Sequence, residues 1–448
     1  MTVTWLLCMS VICLGGGIAC RHRGPLFGLA ISVVVSFIMP TWLRMPIGGI
    51  PFTLQTAGCS LGLLFLVFGA FRKIWSRIVL LDLFVAGMVI VHVLSDIQHD
   101  GSPALVGLMA YGEWALPYIA GRFVMRDSRL LEPLALCCCV VVLILGIGGL
   151  IESVFSINLW EMLVGERPVD GAPRQIKRFG FQRAFGPTRH SIYFGLLVVT
   201  LTPWAVALWN WSKDEQIRRL LSVAGVGSSI AGIVSTVARG PILCLPAIAT
   251  FIAALRIWWL RWLLLVAVSA GVIFLVVDRE RIIAQLESMA DEKSWETNMT
   301  LDGENLKLSS ARYRILLFQA YGPAIREAGW LGYGSAALSE MPPRVPHLPA
   351  NDYVRDRLRS VDNAYIFYVL RFGWIGAATF VLLFAAAVWT GIRLTWDRSV
   401  AVFASCMVGM IGAMVCALFT VWFSYDFGFQ LLWSFGILAG LASQQADE

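Results

Sequence analysis

Long apolar runs, separated by short charged stretches, recur along the whole chain. A helix of about 20 mostly apolar residues crosses the hydrocarbon core of a bilayer. The pattern therefore predicts an all-α polytopic membrane protein with about 12 to 13 transmembrane helices, organised as a single transmembrane domain over residues 1–448. An outer-membrane β-barrel is excluded, because the apolar runs are continuous and do not alternate. The predicted spans are 2–20, 25–40, 56–71, 78–95, 103–121, 131–152, 189–209, 220–237, 241–255, 258–277, 364–389, 399–422 and 426–443.

Two of the connecting segments, 153–188 and 278–363, are much longer than the others. Long loops in a compact protein are usually functional or disordered. Both contain apolar and aromatic residues, and the second has helical patterning. We expect both loops to be ordered, and the second to be largely helical.

The composition, 58% hydrophobic and 14% charged, excludes a soluble enzyme, in which about a quarter of the residues are charged. The chain contains ten cysteines, nearly all within apolar runs. Thiols in such positions behave as small hydrophobic groups. The sequence therefore predicts neither a disulfide framework nor a metal site.

The basic residues of the short loops are divided unequally between the two sides of the predicted membrane. On one side the short loops carry only Arg44 and Arg239. The positive-inside rule assigns the other, basic side to the cytoplasm. Both long loops and the Arg239 turn then lie outside, so we expect any chemistry to face the periplasm. The basic residues assigned to the cytoplasm are Arg21, Arg23, Arg72, Lys73, Arg77, Arg122, Arg126, Arg129, Lys213, Arg218, Arg219, Arg256, Arg261, Arg393 and Arg398.

The first outer loop carries a run of basic residues, RQIKRFGFQRAFGPTRHS, without an acidic one. Guanidinium groups bind phosphates in a bidentate manner. Arg178 and Arg183 are therefore candidate ligands of an anionic substrate, and contact with lipid headgroups is the alternative. His190 begins the next span, where either a substrate-binding or a structural role is open.

Arg239 lies in a tight turn between two apolar helices, Ser-Thr-Val-Ala-Arg-Gly-Pro. Such a short turn holds the side chain rigidly, which favours a functional role over that of a snorkelling anchor. In the second outer loop, SSARYRILLFQAYGP predicts a helix that begins near Ser310 and stops at Gly322 and Pro323. Arg312 and Arg314 in its first turn, beside free backbone N–H groups, would form an anion site. Pairing with acidic residues elsewhere in the loop is the alternative.

Two acidic positions are further candidates. Asp362 lies just before an apolar span, where a carboxylate could accept a proton from a sugar hydroxyl. The alternative is that Asp362 or Asn363 caps the following helix. Glu113 lies in the middle of a span, where charges are costly and are usually functional or paired.

Nucleotide-binding and metal-binding motifs are missing. The chain has no Gly-x-x-x-x-Gly-Lys-Ser/Thr loop, no Cys-x-x-Cys pair and no His-Glu-x-x-His helix. These observations argue against an ATP-driven pump and against chemistry that needs a metal or another cofactor.

Taken together, these segments resemble the O-antigen ligase and polymerase superfamily, over roughly residues 80–440. Each motif is short, and their order along the chain carries the resemblance. The motifs are GEWALPYIAGR, RAFGPTRHSIYFG, the Arg239-Gly240 turn, SSARYRI, Leu331-Gly332-Tyr333-Gly334 and VDNAYIFYVLRFGWIG.

The resemblance implies an all-helical fold of the C-type glycosyltransferase kind and metal-independent, inverting glycosyl transfer. Arg239 and Arg312 look like the family's key arginines, which would hold the pyrophosphate of the donor. Asp362 occupies the position where ligases typically have a His before the Asn. This departure favours a polymerase of O-antigen or exopolysaccharide repeats over a ligase that attaches glycan to lipid A-core.

The implied partners are an undecaprenyl-pyrophosphate-linked oligosaccharide donor, a glycan or lipid A-core acceptor, and the lipids of a bacterial inner membrane. Polysaccharide export and chain-length proteins are candidate partners as well, and nucleic acid is not. A transporter or flippase is the main competing class. It would need polar residues spread through many spans, whereas Glu113 is nearly alone at depth here.

Overall fold

The structure is a computed structural model. It describes residues 2–47, 50–69, 77–99, 101–167, 177–212, 215–263, 266, 298–301, 304–307, 310–339, 343–346 and 361–445.

Helices dominate the described residues, as the long apolar runs require. A π-helical turn at Tyr111–Ala115 joins α5 to α6, and a 3₁₀ turn at Ser128–Leu130 leads into α7. The helices are α1 (Thr2–Arg23), α2 (Pro25–Ser36), α3 (Leu54–Gly69), α4 (Leu80–Ile97), α5 (Pro103–Ala110), α6 (Leu116–Val124), α7 (Leu131–Phe155), α8 (Leu159–Val164), α9 (Ser191–Trp211), α10 (Gln216–Ser235), α11 (Arg239–Arg256), α12 (Ser310–Glu327), α13 (Gly334–Ser339), α14 (Ala364–Leu394), α15 (Ala401–Ala417) and α16 (Tyr425–Gln445).

The prediction of an all-α polytopic membrane protein is confirmed. Within the described residues, seven helices are long and apolar enough to cross a membrane: α1, α4, α7 with its preceding 3₁₀ turn, α9, α10, α11 and α14. Every predicted span except 258–277 coincides with a helix, if α5, the π turn and α6 are taken together. The span 258–277 lies mostly outside the described residues.

The core is centred on α9 and α16. In α9, 78% of the most apolar stretch is buried, against 17% in α11. Trp204 of α9 packs against Trp433 of α16 and Phe403 of α15, with ring centroids 5.5 and 4.6 Å apart. These aromatic side chains bury large apolar surfaces against one another, and their packing fixes the arrangement of the helices.

Helices α6 and α16 cross closely, because glycines line their contact. A Cβ at Gly121 would lie 2.1 Å from the carbonyl oxygen of Trp433, and one at Gly436 would lie 2.0 Å from that of Tyr118. Small residues permit this backbone-to-backbone approach between helices in membranes.

In the part of the chain that the structure describes, three short antiparallel hairpins interrupt the helical fold, and the apolar pattern does not predict them. They are β1 (Arg44–Ile47) with β2 (Ile50–Thr53), β3 (Lys177–Arg178) with β4 (Phe181–Gln182), and β5 (Asn298–Leu301) with β6 (Glu304–Lys307). In register, Arg44 pairs with Thr53, Lys177 with Gln182, and Asn298 with Lys307. Phe179 and Gly180, both at positive φ, form the two-residue turn between β3 and β4.

The predicted end of the loop helix at Gly322 and Pro323 is wrong, because α12 continues to Glu327. A proline inside a helix removes one backbone hydrogen bond. Here the apolar face offsets that loss: Leu317 and Tyr321 are buried against Ile366 and Leu370 of α14.

Candidate functional site

Several loops meet at one end of the bundle, where α7, α10 and α15 finish and α9, α11, α14 and α16 begin. We call this the outer end, following the charge pattern. The backbone N–H of Ala184 donates to the carbonyl of Ser235 at 3.0 Å, and that of Ala364 donates to the carbonyl of Leu418 at 2.9 Å. The loops that meet there are 183–190, 236–238, 361–363 and 418–424.

Glu152, near the end of α7, holds the first outer loop in place. Its carboxylate accepts hydrogen bonds from the backbone N–H groups of Phe185 at 2.9 Å and Gly186 at 2.8 Å, and from Nδ2 of Asn158 at 2.9 Å. Glu152 is 4% exposed. We did not single it out from the sequence, although an acidic residue at the end of an apolar run is a signal that could have done so.

Asp426, at the start of α16, is a second buried acceptor that binds the same loop. Arg189 donates to its Oδ2 from Nη2 at 2.9 Å and from Nε at 3.2 Å, and the backbone N–H of Arg189 donates to Oδ1 at 3.2 Å. The hydroxyl groups of Thr41 and Ser424 also donate to this carboxylate. Asp426 and Glu152 together fix both halves of the segment 183–190.

Arg183 and His190 lie in this fixed segment. Arg183 is buried, and its Nε donates to the carbonyl oxygen of Thr236 at 3.4 Å. Burial, together with the charge of Arg178, lowers the pKa of Arg183 to about 10. Burial also lowers the pKa of His190 to about 4, and the charges of Arg183 and Arg167 add to this effect. Burial is the main cause of both shifts, and the neighbouring arginine charges act in the same direction.

His190 has a structural role in the observed geometry. It is the N-cap of α9, and its Nδ1 accepts a hydrogen bond from the backbone N–H of Ile192 at 3.2 Å. This nitrogen must be unprotonated to accept, which agrees with the lowered pKa. The other ring edge faces Phe185 and Tyr193, with centroids 6.1 and 5.4 Å away.

Arg239 is the first residue of α11 and is exposed. It forms no ion pair with any residue that the structure describes. A Cβ added at its neighbour Gly240 would lie 3.8 Å from Oγ1 of Thr420. The start of α11 is therefore next to the turn between α15 and α16.

Asn363, and not Asp362, caps α14. Oδ1 of Asn363 accepts from the backbone N–H of Ile366 at 3.0 Å, and its Nδ2 donates to the carbonyl oxygen of Phe419 at 3.1 Å. Asp362 is partly buried, and its charge acts on the hydroxyl of Tyr193. Phe419 precedes Thr420, so the same turn adjoins both the Asp362–Asn363 junction and the start of α11.

Arg312 and Arg314 lie in the first turn of α12, as predicted; their side chains are outside what the structure describes. The helix packs on α14, and Val361, next to Asp362, belongs to the same apolar cluster as Leu317 and Tyr321. The backbone of α12 is thus anchored beside the residue that precedes Asp362.

Glu113 lies in a different cluster from the other candidates. It occupies the π-helical turn, and its carboxylate accepts two hydrogen bonds from Arg371 of α14, at 2.8 and 2.9 Å. Rings of Trp114, Tyr368 and Phe423, with centroids 5.7 to 6.3 Å apart, connect this cluster to the 418–424 turn. Arg371 was missed from the sequence, because nothing local marks a partner 258 residues away.

The outer end can bind an anion and carry acid–base chemistry. Arg178 and Arg183 carry positive charge in the first outer loop, Arg239 carries it at the start of α11, and Asp362 carries a carboxylate next to the N-cap of α14. Within the described ranges, no group of three or more His, Cys, Asp or Glu residues could hold a metal ion.

Comparison with known proteins identifies a domain at the centre of this arrangement. Residues 224–381 match a family model described as O-Antigen ligase. This segment includes Arg239, Arg312 and Asp362, together with Asn363 and Arg371. No curated protein matches the chain.

Proposed function

Since the O-antigen ligase domain at residues 224–381 places this membrane protein in the O-antigen ligase and polymerase superfamily, we propose that it transfers an undecaprenyl-pyrophosphate-linked glycan to an acceptor sugar. The reaction takes place on the periplasmic face of a bacterial inner membrane, at the outer end of the bundle. The observation that supports the proposal is that the segments carrying Arg183, Arg239 and Asp362 adjoin the turns 236–238 and 418–424. Arg183 donates to the carbonyl oxygen of Thr236, Gly240 lies beside Thr420, and Asn363 donates to the carbonyl oxygen of Phe419.

The arginines bind the donor pyrophosphate. Negative charge develops on this leaving group as the glycosidic bond breaks, and fixed cations stabilise it most where water is partly excluded. Arg183 is nine-tenths buried and Arg239 is exposed at a rigid helix start. Their positions suit one cation held deep in the site and one facing the entering lipid-linked substrate. Arg312, with Arg314 and Arg178, completes the anion site.

Asp362 orients the acceptor sugar and accepts the proton of its hydroxyl. Asn363 supports this role, because its side chain caps α14 and ties the junction to Phe419. Attack from the face opposite the pyrophosphate inverts the anomeric carbon, and no metal is needed when arginines neutralise the leaving group.

We favour polymerisation of O-antigen or exopolysaccharide repeats, because Asp362 stands where ligases typically have a His. The alternative is a ligase that transfers the glycan to lipid A-core. Deleting the gene and analysing the glycans on gels separates the two activities. Single repeats on lipid A-core indicate loss of a polymerase, and bare lipid A-core with free lipid-linked polymer indicates loss of a ligase.

The proposal is tested by Arg239→Ala. The variant should remain in the membrane at normal levels and form no transferred glycan, either in cells or with purified protein, lipid-linked donor and acceptor. Arg218→Ala is the matched control: Arg218 pairs with Glu132 at the opposite end of the bundle, and its loss should leave transfer intact. Normal product from Arg239→Ala refutes the assignment. A transporter or flippase would form no new glycosidic bond in the purified assay.

A further inference from the structure

An ionic network joins three helices inside the bundle. Arg371 of α14 binds both carboxylate oxygens of Glu113, at 2.8 and 2.9 Å. On α4, Nε2 of the fully buried His92 lies 3.2 Å from Oδ2 of Asp96 and 3.3 Å from Nη2 of Arg371. Each oxygen of Glu113 accepts one hydrogen bond from Arg371, so the pair is bidentate and fixes the two side chains relative to each other.

The same network holds the segment that follows α12. The backbone N–H of Ser335 donates to Oδ1 of Asp96 at 2.6 Å, and Nε of Arg371 donates to the hydroxyl of Ser335 at 2.8 Å. The backbone N–H of Tyr333 donates to the carbonyl oxygen of Leu370 at 2.7 Å. The start of α13 is therefore bound to α4 and α14 through charged and backbone groups at once.

Two glycines allow this segment to dock directly on the backbone of α14. Gly332 has φ +72° and Gly373 has φ +67°, values that favour glycine. A Cβ at Gly332 would lie 2.5 Å from the nitrogen of Gly373, and one at Gly373 would lie 2.3 Å from the carbonyl of Trp330. The break in α14 at Gly373 is thus filled by the chain between α12 and α13.

We infer that the Glu113–Arg371 pair, with His92, Asp96 and Ser335, is a latch that positions α12 at the outer end of the bundle. The latch binds the chain a few residues after α12, and α12 carries Arg312 in its first turn. Glu113 and Arg371 are positioning residues, which act on the transfer through Arg312. This last step rests on the proposed function, whereas the latch itself does not.

Hydrogen–deuterium exchange on the purified full-length protein tests the latch independently of activity. Glu113→Gln keeps the shape of the side chain but leaves the charge of Arg371 unpaired, which is strongly destabilising for a buried pair. We expect exchange over residues 310–339 to rise by about tenfold or more. Arg218→Gln, which removes an ion pair far from the latch, should leave exchange there unchanged. Unchanged exchange in Glu113→Gln overturns the inference, whatever the activity.

A cross-link distinguishes positioning from direct contact with substrate. Gln98 and Ala336 are exposed. They lie close to His99 and Gly334, which approach each other: a Cβ added at Gly334 would lie 3.0 Å from the His99 ring. Cysteines at 98 and 336, joined by a short bis-maleimide, should restore transfer to Glu113→Gln. Glu113→Gln proteins that carry only one of the two added cysteines, or neither, and are treated in the same way, should not regain transfer.

The possible results separate the two proposals. Faster exchange with reduced transfer that the cross-link restores supports the latch and its positioning role. Faster exchange with normal transfer, or reduced transfer that the cross-link fails to restore, overturns the positioning role. If the wild-type protein transfers no glycan, the proposed function fails, and the exchange experiment still decides the latch.

Discussion

Replacing Glu152 by Ala should release the first outer loop, and the cost can be worked out from the structure. The change removes the acceptor for the backbone N–H groups of Phe185 and Gly186. The amide of Asn158 keeps a partner, because it also donates to the carbonyl oxygen of Gly186 at 3.2 Å. Two buried donors are left without an acceptor, at roughly 1–3 kcal/mol each. We therefore expect a local destabilisation of about 2–6 kcal/mol.

Glu152→Gln should cost less. Its single carbonyl oxygen can accept from the two backbone N–H groups, and its amide then faces the amide of Asn158. The hydrogen bond to Asn158 is lost and the buried amide of the glutamine is left without an acceptor, at roughly 1–3 kcal/mol. The order of stability is therefore wild type, then Gln, then Ala.

Hydrogen–deuterium exchange at Phe185 and Gly186 measures this opening directly. A destabilisation of 2 kcal/mol or more corresponds to exchange that is about 30-fold faster. Glu132→Ala is the control on the same helix. Its ion pair with Arg218 is about one-third exposed on both sides and should be worth at most about 1 kcal/mol. Equal exchange in Glu152→Ala and wild type would refute the claim that Glu152 holds the loop.

Three further predictions concern the same end of the bundle and α14. Since burial lowers the pKa of His190 to about 4, stability should be full above pH 6.5 or so and fall by up to about 3 kcal/mol as the pH drops to 4. The free energy of unfolding should depend less on pH over that range in His190→Asn, because asparagine keeps a capping oxygen but does not titrate. Gly373→Ala should lower thermal stability by at least about 2 kcal/mol through its positive φ and the contact with the Trp330 carbonyl, whereas Gly227→Ala, with open space around it, should be neutral or stabilising. Asp426→Asn should cost about 1.5–3 kcal/mol, because it removes the buried charged acceptor of Arg189, Thr41 and Ser424, and a double-mutant cycle with Arg189→Gln should measure the coupling between the two side chains in the same unfolding assay.

The spans could be predicted because each depends on a local property, an apolar run of sufficient length. The placement of Arg183, Arg239 and Asp362 in outer connections stays a prediction, which rests on the charge asymmetry of the short loops. The sequence leaves open whether Asp362 or Asn363 caps α14, and only the structure decides between them. Both residue types can cap a helix, and only Asn363 has its oxygen on the N–H of Ile366.

The ionic partners could not be predicted, because they are far apart along the chain. A charge in the middle of a membrane span is energetically costly, so the sequence marks Glu113. Nothing in the sequence around Arg371 marks it as the partner. Asp426 and Arg189 are likewise separated by 237 residues. The continuation of α12 through Pro323 depends on burial against α14, which overrides the local signal of the proline.

The first part of α14 connects the proposed site to the latch. Asn363 caps this helix beside Asp362, and Arg371 lies about two turns later, just before the break at Gly373. At about 1.5 Å per residue, this segment is roughly 13 Å long. Tyr368, within it, packs on Trp114 and Phe423, so the segment is held on its sides as well as at both ends. The side packing and the cap hold Asp362 in place, and the chain docked on Gly373 links the latch to α12. The arginine helix of the proposed site therefore depends on an ion pair that lies away from the site.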